Sequence, residues 1–127
     1  MRIKIGSGAI WEDTVGYSRA VKVGNIIEVA GTTAVKNGEL VYQNDPYNQT
    51  ICIIQIIEEA LRQLDASLED VVRTRIYLKN VSDWEAVGRA HGLYFSKIKP
   101  ASTMLAVASM IHPDMLVEIE VTAIIST

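Results

Sequence analysis

Cysteine is almost missing from this chain: Cys52 stands alone among 127 residues. No internal disulfide can form, and no Cys/His cluster has the spacing of a zinc site. Positive charge is also short. Twelve Lys and Arg against 15 Asp and Glu leave a net charge of −3, without the basic field that general nucleic-acid binding uses, so the balance argues against a nucleic-acid partner. Long apolar runs are absent too: the longest, Ile51 to Ile57, is interrupted by Gln55 and falls far short of the ~20 residues that cross a bilayer. The opening residues, Met1 to Ile5, lack the apolar stretch of a secretory signal. These absences read as a cytoplasmic protein without membrane association. Aromatic residues make up 6% of the chain, so a core must be built from aliphatic side chains. Those are plentiful, at 49% hydrophobic against 21% charged residues, which excludes global disorder and suffices for one domain over residues 1–127.

Hydrophobic periodicity sets the expected element order. Arg2 to Ile5 alternates charged and apolar residues, as a half-buried first strand does. Ala20–Val23 and Ile26–Ala30 are β-rich runs joined by Gly24 and Asn25, which tolerate the positive φ of a tight hairpin. Asn37 and Gly38 mark a second turn, between Thr32–Val35 and Leu40–Tyr42, through which the sheet is expected to continue. From Pro46 the period becomes helical. Ile53, Ile57, Ala60, Leu61 and Leu64 fall on one stripe, and Asp45–Pro46 is a good helix start. Ser67 and Asp70 have capping-box spacing, one short turn before a strand over Val71–Leu78. Asp83 is a candidate cap for a second helix running to Tyr94 or Phe95, weakened by Gly88 and Gly92 at up to ~1 kcal/mol each. Ser102–Val107 and Leu116–Ile125 close the order.

The expected fold is therefore α+β: a mixed sheet of about six strands with two helices on one face. The last strand puts Val117, Ile119 and Val121 on one side and Glu118 and Glu120 on the other. The sheet face that the helices leave open needs a partner, which points to trimeric or other symmetric association with ligand pockets at the seams.

Simple motif searches yield little. Gly6-Ser7-Gly8 begins like a dinucleotide fingerprint but has no third glycine. Gly16 to Ala20 lacks the last glycine and the following helix of a nucleophile elbow. His91 and His112 stand in different segments with no further ligands spaced to join them, so no metal is expected. Glu118 and Glu120 carry more. Arg73 and Arg75 share a face of their strand by the same parity, so the carboxylates either form solvated or inter-subunit salt bridges with them or hold a water in a seam pocket. In the second case, like charge and partial burial would shift a carboxyl pKa toward neutrality.

The stretch Gly16-Tyr17-Ser18-Arg19-Ala20-Val21, the hairpin into Ala30-Gly31-Thr32-Thr33, the strand Val72-Arg73-Thr74-Arg75-Ile76-Tyr77, then Pro100-Ala101 and Val117-Glu118-Ile119-Glu120 follow in order over nearly the whole chain. Together they resemble the Rid family of reactive intermediate deaminases, also called YjgF-like and labelled endoribonuclease L-PSP or translation initiation inhibitor. The resemblance implies a chorismate-mutase-like fold, a homotrimer packed through its sheets, and three clefts between subunits. It also implies cofactor-free hydrolysis of enamines or imines of 2-amino acids to 2-keto acids and ammonia. In that chemistry an arginine following the Pro-Ala pair grips the substrate carboxylate with two parallel hydrogen bonds.

Carried onto this chain, the resemblance makes Glu118 the carboxylate associated with water and places Tyr17 and Gly31 in the pocket. The arginine position holds Ser102. The cysteine two residues later is Met104, the second-helix asparagine is Gly88, and a nearby tyrosine is His91. Losing the bidentate contact costs on the order of 2–4 kcal/mol in binding or rate. Arg75 is a candidate replacement cation if its face lines the cleft; the competing expectation is an ion pair with Glu118 or Glu120. A small molecule is thus expected at the subunit seam, near Tyr17, Gly31, Arg75, Gly88, His91, Ser102, Met104 and Glu120. It is either hydrolysed, with Glu118 as the catalytic carboxylate, or simply bound by a regulatory trimer. RNA cleavage rests only on a family label and conflicts with the acidic balance.

Overall fold

The computed structural model describes residues 1–126. Strand β1 (Arg2–Ile5) pairs antiparallel with β2 (Ala20–Val23), which turns through Gly24 into β3 (Ile26–Thr32). Gly24 has φ +61°, a left-handed backbone that glycine adopts without steric cost. The main helix α1 (Pro46–Gln63) opens on Asp45, whose carboxylate accepts a hydrogen bond from the Asn48 amide at 3.0 Å. A 3-10 turn leads into β6 (Val71–Leu78), with the Ser67 amide donating to Asp70 at 2.9 Å. Helix α2 (Trp84–Phe95) crosses to β7 (Ala101–Ala106), which runs parallel to β6, and β8 (Val117–Ile124) ends the order.

The six-stranded sheet has the spatial order β1-β2-β3-β8-β6-β7, with only the β6–β7 pair parallel. The last strand in sequence therefore lies near the middle. Its Val117, Ile119, Val121 and Ala123 are buried against the helices, as are Ile27 and Val29 of β3 and Ile76 and Leu78 of β6. Ile53, Ile54, Ile57 and Leu61 of α1 complete this aliphatic core. Both helices lie on the same side: α1 crosses β3 and β8, and α2 packs beside α1.

Four expectations need correction. The Asn37–Gly38 turn forms, with φ of 53° and 79°, but the sheet does not continue through it. The strands β4 (Val35–Lys36) and β5 (Glu39–Leu40) make a separate two-stranded ribbon, because β2 and β8 already occupy both edges of β3. Strand β3 runs on to Thr32, and the last two strands begin at Ala101 and Val117, one residue away from the expected starts. Asp83 precedes α2 without a side-chain capping bond. The π-helical turn over Glu12–Gly16 was not expected; Glu12 secures its approach by accepting from the Ser7 amide at 3.0 Å.

Candidate functional site

Strand alternation delivers Arg73, Arg75 and Tyr77 to the open sheet face, opposite Thr122, Glu120 and Glu118 of β8. There the Tyr77 hydroxyl donates to Glu120 Oε1 at 2.7 Å, and Arg75 Nε stands 4.0 Å from the same oxygen. The hydrogen bond to Glu120, with burial and carboxylate charge behind it, raises the Tyr77 pKa. Glu120 is thus engaged within its own chain. Arg75 and Glu120 line a shallow groove of about 440 Å³ together with Lys4, Tyr17, Ser18 and Glu28, a wall of alternating charge on which a polar ligand finds both signs.

Beside this groove lies the Glu118 carboxylate, against Gly31. A Cβ on residue 31 would overlap Glu118 Oε2, so any side chain there would displace the carboxylate from this position. Arg19 Nη2 donates to the Gly31 carbonyl at 2.6 Å, while its Nε is buried without a hydrogen-bond partner among the described residues. Burial pushes the Glu118 pKa up, the Arg19 charge opposes that, and Glu120 adds to it. Burial correspondingly lowers the Arg19 pKa against the pull of Tyr17, Glu12 and Glu118. A half-buried carboxyl with a raised pKa and one nearby cation is suited to exchanging a proton with a water or a ligand.

On the other side of the sheet Thr74 is fully buried. Its Oγ1 lies 2.8 Å from Ser102 Oγ and 3.0 Å from His91 Nε2. Ser102 and Met104 are in register with Thr74 and Ile76 on β6, so both belong to the helix-facing side at the β7 edge. Gly88 lies one turn before His91 on α2, and a Cβ added there would meet nothing within 4 Å.

The expected site residues therefore form two groups. Glu118, Glu120, Arg75, Tyr17 and Gly31 gather on the open side; Gly88, His91, Ser102 and Met104 gather near the edge strand on the helix side. The sheet separates the groups within one chain. Arg75 makes the expected ion pair, with Glu120. His112 accepts from the Asp114 amide at 3.0 Å in a surface loop, and among the described residues no group of three or more His, Cys, Asp or Glu side chains is placed to hold a metal. No described helix is long and apolar enough to cross a membrane.

Two participants, Arg19 and Thr74, had no assigned role in the sequence. For Arg19 the available signal was a cation immediately before the buried start of β2 at Ala20. For Thr74 it was parity, since outward Arg73 and Arg75 require residue 74 to point inward.

The topology and the paired carboxylates define an α+β protein with a chorismate-mutase-like, YjgF-type fold. The chain belongs to the family described as Endoribonuclease L-PSP, whose model matches residues 10–125. It is 40% identical over 120 residues to an uncharacterized protein of Streptomyces coelicolor, covering 94% of this chain and 90% of that one. It is 31% identical over 104 residues to the 3-aminoacrylate deaminase RutC of Acinetobacter baylyi, covering 81% and 82% respectively. A crystal structure of Rv2704 from Mycobacterium tuberculosis, a member of the YjgF/YER057c/UK114 family, superposes with a TM-score of 0.90 at 43% identity, covering 98% of this chain and all of that one.

Proposed function

We propose that the protein is a cofactor-free hydrolase of a small, reactive enamine or imine, acting in the cytoplasm at clefts between the subunits of a homotrimer. The observation that carries this reading is the half-buried Glu118 carboxyl lying over Gly31, with its pKa raised by burial. In its protonated form Glu118 supplies a proton to the enamine carbon, giving the iminium ion. As carboxylate it then takes a proton from water, whose oxygen adds to the C=N carbon; Glu118 returns that proton to the carbinolamine nitrogen, and collapse with loss of the hydroxyl proton to the carboxylate releases ammonia and leaves the carbonyl product. Tyr17, Gly31, Arg75 and Glu120 orient the ligand from one subunit, and Gly88, His91, Ser102 and Met104 close the cleft from its neighbour. The RutC relative, named for deamination of 3-aminoacrylate, supports the reaction class.

A second reading, a metabolite-binding trimer without turnover, draws on one feature: Ser102 replaces the carboxylate-gripping arginine. Ammonia release from enzymatically generated 2-aminoacrylate separates the two. Hydrolysis predicts release faster than in buffer, lost in Glu118→Gln; release at the buffer rate, with ligand-induced thermal stabilisation, leaves the binding protein. Ser102→Arg is expected to raise the rate by supplying the missing cation.

A further inference from the structure

We propose that Ser102 is a reactive nucleophile, activated by His91 through Thr74, and that it accepts acyl groups from activated acyl compounds such as aryl esters. Three polar groups form an unbroken line here, His91 Nε2 to Thr74 Oγ1 at 3.0 Å and Thr74 Oγ1 to Ser102 Oγ at 2.8 Å. Thr74 is wholly buried, whereas Ser102 is exposed. The line therefore connects an interior imidazole to a surface hydroxyl.

Proton counting limits what this line can do. Thr74 carries a single hydroxyl proton, so between its two neighbours it donates to one and accepts from the other. Thr74 Oγ1 is placed to donate to Ser102 Oγ; rotation of the two hydroxyls, with Nε2 unprotonated, turns the line so that Thr74 donates to His91 and Ser102 donates to Thr74. That is the polarity of a base acting on a serine through one intervening hydroxyl. Phe95 holds the ring, with its centroid 4.6 Å from that of His91. Burial lowers the His91 pKa from its ordinary 6.5, which keeps the imidazole neutral and able to accept a proton at pH 7. Access is open as well in the single chain, since β7 is the edge of the sheet and, among the described residues, pairs only with β6.

The step balances without any further reagent. Ser102 Oγ bonds to the carbonyl carbon, its proton passes to Thr74 as the Thr74 proton passes to His91 Nε2, and the bond to the aryl oxygen breaks. Water later cleaves the acyl-serine, returning the hydroxyl. An arginine at this position could not perform this step, so the exchange that removes a carboxylate grip introduces a different reactivity. No proton in this step passes through Glu118, which within one chain lies across the sheet.

The test is exposure of the native protein to p-nitrophenyl acetate, followed by peptide mapping of acetylated serines over time. Ser82 and Ser109, both exposed, serve as internal controls that need no variant. Ser102 is expected to acetylate at least about a hundredfold faster than either, the low end of what a positioned base contributes. Thr74→Val should abolish that advantage and Thr74→Ser restore it, with thermal melting confirming that each variant folds. Acetylation of Ser102 no faster than the controls, or undiminished labelling in folded Thr74→Val, would overturn the proposal. Neither result bears on ammonia release at Glu118, so the two readings fail separately.

Discussion

Glu118 pairs an ordinary side chain with an environment that alters its proton affinity. Its pKa is higher in the folded protein than the 4.5 of a free side chain, chiefly through burial. A carboxyl of that kind binds its proton more readily when folded. The contribution to stability is thus fully present below the unfolded pKa and is lost as pH rises through the raised folded value. Glu118→Gln carries no ionisable group there and escapes the loss. The melting temperature of the Gln variant relative to native protein should therefore be more favourable at pH 7 than at pH 4. An equal difference at the two pH values would place Glu118 in a water-like environment.

At the scale of elements, α1 is secured by more than its aliphatic stripe. Gln49 is fully buried, and its side chain amide donates to the carbonyls of Asp114 at 2.9 Å and Tyr42 at 3.2 Å while its Oε1 accepts from the Leu116 amide at 3.0 Å. One side chain thus ties the first turns of the helix to the loop before it and to the segment that enters β8. Gln49→Leu preserves volume but strands those backbone groups without water, at a cost of about 2–4 kcal/mol in urea unfolding. A loss below about 0.5 kcal/mol would mean that the backbone groups find other partners. Because β8 carries Glu118 and Glu120, the variant should also lower any activity that depends on their placement.

At the scale of the whole molecule, one sheet face is covered by helices and the other carries Arg73, Arg75, Tyr77, Glu118 and Glu120 with no layer over them in the single chain. The proposed assembly closes that face against neighbouring copies and brings the two groups of site residues together. Light scattering should give three times the 14.0 kDa chain mass. A particle of one chain mass would remove the seam and leave the two groups apart.

Much of this arrangement was legible in the residues themselves. A strand has a period of two, so Val117-Glu118-Ile119-Glu120 and Arg73-Thr74-Arg75 settle which side chains share a face before any neighbour is known. The turns at Gly24 and Asn37–Gly38 and the start at Asp45–Pro46 are equally local, since each depends on the backbone freedom or hydrogen bonding of one or two residues. Pairing between distant segments carries no such local signal. Only the tertiary structure decided that β8 enters between β3 and β6, which excludes the β4–β5 ribbon from the sheet. That insertion also sets Glu118 against Gly31, which the β2–β3 hairpin already holds beside Arg19, and it leaves β7 at an edge where Ser102 meets Thr74 and His91. Those outcomes follow from burying a shared apolar surface, a property of the assembled elements that no single segment contains.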